Sequence, residues 1–265
     1  MEKYRITVHE FGKENSSVIV MLHPLGVWWD IFSYVIPLLE KDWRLVIPAM
    51  PGHDPDRPEL DFTSVEEIEE QVTYWLTEHG LDHVSCLYGC SMGGGLVTRM
   101  LASHRIETDC AVIDAGITPY QLPKPFTWVI GARDWLIMEL GKHMSVKALG
   151  GMVDTSKYTM EDLQYIKRVF SGMSSRTIWR AFYSANNYSM PDPVPKLSCP
   201  VRYWYGDAEK KARKWDIAYI KKVFPDTVFV EHKGQDHAEY FLLHPEDFCR
   251  ELTDFIRTEG GQNHL

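Results

Sequence analysis

The chain has 265 residues, of which 45% are hydrophobic and 25% charged, and its formal net charge is −9. That is enough apolar material for one large domain with a substantial core, and the acidic balance argues against a nucleic-acid backbone as partner. The five cysteines, Cys86, Cys90, Cys110, Cys199 and Cys249, are scattered with neither metal-ligand spacing nor a disulfide framework, which fits a reducing, cytoplasmic setting.

The stretch Met1-Glu2-Lys3-Tyr4-Arg5 lacks the apolar run of a signal peptide, and no segment approaches the ~18 apolar residues of a membrane span. Tyr4 to Phe11 alternates as an edge strand does. Ser17 to Leu22 is a continuous apolar run, as expected of a strand covered on both faces. It ends in His23-Pro24-Leu25-Gly26. Phe32, Val35, Ile36 and Leu39 then mark one helix face, and Trp43 to Pro48 reads as the next strand. The loop Pro51-Gly52-His53-Asp54-Pro55-Asp56 is rich in turn formers.

Ser64 with Glu67 predicts a capped helix whose inward face is Val65, Ile68, Val72, Trp75 and Leu76, ending at Gly80. His83 to Tyr88 is a strand, and Leu96 to Leu101 a helix. Between them lies Gly89-Cys90-Ser91-Met92-Gly93, a G-x-S-x-G pattern in the strand–turn–helix context that the pattern requires. Glycines on either side leave room for so tight a turn, and the hydroxyl of Ser91 is placed at a helix N-terminus, where free N–H groups favour negative charge. Cys110 to Ile113 is a further strand.

The strand–helix rhythm then stops. Residues 118–196 read as helical and are rich in tryptophan and methionine: Trp128, Trp135, Met138, Met144, Met152, Met160, Met173 and Trp179. Turn-forming boundaries at Pro119 to Pro125 and Pro191 to Pro195 mark the segment as an inserted helical lid. The expected organisation is core 1–117, cap 118–196 and core 197–265. Alternation resumes with the strand Val201 to Tyr205 and a helix through Ile217, Ile220 and Phe224. The strand Thr227 to Val230 follows, then a helix led by Pro245, with Phe248, Leu252, Phe255 and Ile256 inward. Lys210, Lys211, Arg213 and Lys214 are expected to form a solvated helix face, and Glu259 to Leu265 a loose end. The rhythm predicts an α/β fold: a mainly parallel sheet with helices on both faces, plus an all-helical insertion.

With these motifs in this order, the chain resembles the α/β-hydrolase superfamily, specifically a cap-bearing serine hydrolase with its cap inserted after the sixth strand. The resemblance implies a triad in chain order serine, acid, histidine. Ser91 would be the nucleophile and His237, in Gly234-Gln235-Asp236-His237, the general base. The acid position, three residues after the strand-ending Gly206, falls on Glu209; Asp207 and Asp114 are alternatives. The oxyanion hole would use the backbone N–H groups of Met92 and Leu25, because Pro24 replaces a usual glycine one residue before the donor. His23 and His53 match positions that are usually structural.

The resemblance implies hydrolysis of a carboxylic ester or related acyl compound through an acyl-enzyme on Ser91, with no metal or organic cofactor. A C–C bond hydrolase, an acyltransferase or a non-catalytic receptor would carry the same residues. Trp28, Trp29, Trp128 and Trp135 are candidates for an apolar pocket around an acyl or aryl group. A small-molecule ester partner, no membrane association and a monomer or homodimer complete the expectation.

Overall fold

The structure is a computed structural model that describes residues 6–151 and 156–261. Strand β1 (Thr7–Phe11) leads to β2 (Val18–Leu22), whose five residues are all buried. A 3-10 turn over Trp29–Tyr34 follows, with a single α-helical turn, α1 (Ile36–Leu39). The expected amphipathic helix is therefore split. Pro37 has no N–H to donate, so an α-ladder cannot run through it, yet Phe32, Val35, Ile36 and Leu39 are all buried as the pattern requires.

β3 (Arg44–Ala49), α2 (Val65–Glu78), β4 (His83–Cys90), α3 (Met92–Ser103) and β5 (Glu107–Asp114) come next. The Ser64 hydroxyl accepts from Glu67 N–H at 3.2 Å to cap α2, and Gly80 beyond its end has φ +68°. Four helices then intervene: α4 (Lys124–Lys142), α5 (Val146–Gly150), α6 (Met160–Gly172) and α7 (Ser175–Ala185). The chain re-enters the sheet at β6 (Val201–Gly206), continues through α8 (Lys214–Val223) and β7 (Val228–His232), and closes with α9 (Glu239–Leu243) and α10 (Pro245–Thr258).

The sheet has seven strands in the order β1-β3-β2-β4-β5-β6-β7, with β1 antiparallel to β3 and every other pairing parallel. Among the described residues the helical insertion follows the fifth strand rather than the sixth, because a single edge strand precedes β2. Alternation along β2 distributes its side chains to two cores. Val18, Val20 and Leu22 join Val65, Ile68 and Val72 of α2 and Leu96 of α3 on one face. Ile19 and Met21 join Phe248, Leu252 and Phe255 of α10 on the other.

The insertion has a small core of its own, Val169, Met173 and Ile178, into which Trp28 of the main body plugs. Hydrogen bonds seat it: Thr177 Oγ1 accepts from Phe62 N–H at 3.0 Å, and Ser184 Oγ from Val65 N–H at 2.8 Å. Two expectations fall partly outside the described residues: Tyr4 of the edge strand and Met152 of the insertion. The C-terminal expectation is corrected as far as Gly260. Arg202 donates to Glu259, and a side chain at Gly260 would stand 3.4 Å from Cys110 Sγ, so this end is docked on the sheet rather than loose; 262–265 lie outside the described residues.

Candidate active site

The serine turn is a strained point of the backbone. Ser91 has φ 55° and ψ −114°, a region that L-residues avoid. It persists because neighbours over-determine it: its N–H donates to Asp114 O at 2.8 Å, and its carbonyl accepts from Ile117 N at 3.0 Å and Gly95 N at 3.1 Å. The space is equally tight. A Cβ on Gly89 would lie 2.2 Å from Gly93 O, and one on Gly93 would lie 2.0 Å from Leu22 O. The second contact sets the loop after β2, which carries Leu25, alongside the first turn of α3, which begins at Met92. Ser91 is the N-cap of α3, but its side chain does not cap the helix, so the hydroxyl is not engaged there.

His23 holds that loop from below. Its Nε2 accepts from Met50 N–H at 3.2 Å, which places the proton on Nδ1, 2.8 Å from Pro24 O. Burial lowers its pKa to about 4, and burial lowers that of His53 to about 3. Both are neutral structural rings. Cys90, beside the serine, is also buried, and its thiol titrates well above the ordinary range for that reason.

The histidine and acid loops are laced together. A Cβ on Gly206 would stand 2.2 Å from Gln235 O, and Ala208 N–H donates to Gln235 O at 3.2 Å. This brings His237 Nδ1 to 2.7 Å from Glu209 Oε2. Facing a carboxylate, Nδ1 is the donor, which leaves the Nε2 lone pair outward. Glu209 is 6% exposed, and its other oxygen accepts from Gly206 N–H at 3.3 Å. The alternative acids are engaged elsewhere. Asp207 is exposed and accepts from Gly234 N–H at 2.9 Å. Asp114 is buried and accepts from Tyr88 Oη at 2.7 Å, and burial raises its pKa to about 6. Among the described residues no hydrogen bond joins the Ser91 hydroxyl to His237.

Two ion-pair clusters flank this pair, and neither was legible from the sequence. Arg213 Nε lies 3.5 Å from Glu209 Oε2 and its Nη1 3.1 Å from Asp216 Oδ2. Asp216 in turn accepts from both the N–H and the hydroxyl of Thr118, each at 2.8 Å, at the root of the insertion. Arg213 is therefore not on a solvated helix face as expected; it follows a turn, four residues after Glu209. On the other side, Glu239 accepts from Asp236 N–H at 2.8 Å, Lys157 Nζ at 2.8 Å and Tyr158 Oη at 3.0 Å. Burial opposes its ionisation, but these bonds hold its carboxyl below the usual range.

The four tryptophans stand in different settings. Trp28 lies edge-on to Tyr165 at 5.7 Å within the core of the insertion, and its backbone N–H donates to Tyr165 Oη at 3.0 Å. Trp29 stacks on His9 at 3.8 Å, covering the sheet edge. Trp135 donates to Ser175 O at 3.2 Å. Trp128 is 55% exposed and packs on Trp179. Hydrophobic content alone cannot say which face of a helix a tryptophan occupies. The side chains over the loop after β2 are Phe170 and Met138, which a Cβ on Gly26 would approach to 3.5 and 3.9 Å, and Trp28 and Trp135 pack in the same cluster as these two. The signal for Phe170 was its position four residues after Ile166 in α6.

A mainly parallel sheet carrying a strained serine at one strand end and a histidine–carboxylate pair on nearby loops is the arrangement of the α/β-hydrolase class. A model of the alpha/beta hydrolase family matches residues 19–251, and the chain belongs to that family. Over 252 residues it is 25% identical to a pimeloyl-[acyl-carrier protein] methyl ester esterase of Vibrio vulnificus, covering 89% of this chain and 93% of that protein. Its fold is similar to that of an esterase from Exiguobacterium antarcticum, with a TM-score of 0.76 at 16% identity and 96% of each chain covered. It is also similar to MenH from S. aureus, with a TM-score of 0.75 at 14% identity, covering 97% of this chain and 99% of that one. Among the described residues no helix is long and apolar enough to cross a membrane.

Proposed function

We propose that the protein is a serine hydrolase that cleaves a carboxylic ester, with residues 118–196 as its cap. The observation that carries this reading is the 2.7 Å bond between His237 Nδ1 and Glu209, which leaves Nε2 free to act as a base on the same side of the sheet as the Ser91 turn. Ser91 Oγ attacks the ester carbonyl as His237 Nε2 takes its proton, and Glu209 holds the ring and offsets the charge it acquires. The N–H groups of Met92 and Leu25 receive the oxyanion; losing one such donor typically costs about 10²–10³ in rate. The alcohol leaves with the proton from His237, and water enters by the same route to release the acid.

The name of the Vibrio vulnificus relative supports an ester of a small alcohol as the substrate class to test, and Phe170 and Met138 supply an apolar wall for the acyl part. The reading is tested with a fluorophosphonate probe and a panel of short- and medium-chain esters. Wild-type protein is expected to label and to turn over. Ser91→Ala is expected to do neither, losing up to about 10⁶ in kcat. Labelling elsewhere, or ester hydrolysis that survives Ser91→Ala, would remove Ser91 as nucleophile.

A further inference from the structure

Helix α4 has two apolar faces, and the insertion uses one. Thr127 and Gly131 are buried on the inner face, and a Cβ on Gly131 would lie 3.4 Å from Tyr183 of α7. On the outer face Phe126, Val129, Leu136, Ile137 and Leu140, with Leu122 just before the helix, are each between 49% and 63% exposed. Within α4, Phe126, Val129, Arg133, Leu136 and Leu140 recur at alternating intervals of three and four, the spacing of a helix–helix seam with Arg133 as its one charged position. The six exposed apolar side chains present on the order of 600 Å². A stable dimer needs about 800 Å² from each partner, roughly two-thirds of it apolar at the core.

We propose that this face is the interface of a two-fold homodimer in which α4 packs antiparallel against the partner's α4. An isologous contact is self-complementary, and a seam of this length supplies one when the helices run in opposite directions. Phe126 then lies against the partner's Leu136 and Val129 against the partner's Arg133, with Leu140 facing the start of the partner's helix. The antiparallel arrangement keeps the two arginines on opposite sides of the axis, whereas a parallel pair would stack Arg133 on the partner's Arg133. Arg133 is already neutralised within its own chain, with Nε donating to Asp134 Oδ1 at 2.8 Å. A bilayer surface fits less well: α4 lacks the Lys- and Arg-rich polar face of an interfacial helix, because Asp134 and Glu139 offset Lys124 and Lys142, and the bilayer would receive Arg133 in the middle of the inserted face.

The test is the mass of the purified full-length chain in solution. Sedimentation equilibrium is expected to give twice the chain mass for wild type and a monomer for Leu136→Glu/Ile137→Glu, with an unchanged far-UV spectrum. Under mild oxidation Phe126→Cys/Leu136→Cys is expected to cross-link to a covalent dimer that neither single cysteine variant forms. A monomeric wild type at the highest attainable concentration would overturn the proposal, as would a dimer indifferent to the glutamates. So would a monomer that sediments with phosphatidylcholine vesicles unless Leu136 and Ile137 are replaced.

Discussion

Glu209 meets His237 and Arg213 through one and the same oxygen: Oε2 lies 2.7 Å from the imidazole Nδ1 and 3.5 Å from the guanidinium Nε. The carboxylate is thus fixed from two sides, and the ring it holds presents Nε2 outward. Glu209→Gln keeps the shape but offers an amide, which favours the wrong ring tautomer. By analogy with amide replacement of a triad acid, kcat is expected to fall by up to about 10⁴. Asp207→Asn, which changes a surface bond to Gly234, is expected to leave kcat near wild type. Steady-state kinetics on the two variants decide the matter, and the reverse ranking would move the acid to Asp207.

The elbow makes a prediction about stability. A methyl group on Gly93 meets main-chain atoms, Leu22 O at 2.0 Å and Leu22 C at 2.5 Å, which no rotamer change relieves. Gly93→Ala is expected to cost at least about 3 kcal/mol, the upper range of overpacking. Gly172, at the end of α6, has nothing within 4 Å of its virtual Cβ. Gly172→Ala is therefore expected to stabilise by about 0.4–1 kcal/mol through the unfolded chain. Urea denaturation of the pair separates a steric glycine from an incidental one, and equal effects would contradict this account of the turn.

These two glycines also illustrate what could be read in advance. Gly89, Ser91 and Gly93 were legible because a tight strand–helix turn admits few residue types, and the period-two and period-3.6 runs around them placed β4 and α3. Ser64 with Glu67, and Pro245 at the head of α10, were legible for the same local reason. The preference for Glu209 over Asp207 came from a family spacing, and Glu209 is the carboxylate that lies 2.7 Å from His237 Nδ1. Contacts that join distant loops were not legible. A basic run cannot reveal that Arg213 turns inward to Glu209 and Asp216, nor can Glu239 be seen to gather Asp236, Lys157 and Tyr158. The tryptophans marked a hydrophobic region, but aromatic content does not say whether a residue lines a pocket or, like Trp28, packs into the core of the insertion.

Asp114 gives a prediction in which pH separates structure from catalysis. Its carboxyl is buried beneath the serine turn, and burial lifts its pKa to about 6 from a reference near 3.8. At pH 7 the folded protein must hold this group ionised in a poor medium, a cost the unfolded chain does not bear. As pH falls through 6 the folded form takes up the proton first, so Asp114 contributes a stability that grows between pH 6 and 4 and is constant below about 3.8. Asp114→Asn removes the cost and can still accept from Tyr88 Oη. The variant is expected to exceed wild type by up to about 3 kcal/mol at pH 7, with the difference fading towards pH 4. Because the hydrogen bond to His237 Nδ1 comes from Glu209 and not from Asp114, turnover is expected to persist. Urea titrations from pH 4 to 7.5 alongside ester assays measure both. A stability difference independent of pH would contradict the burial argument, and abolished turnover in a folded variant would identify Asp114 as the acid instead of Glu209.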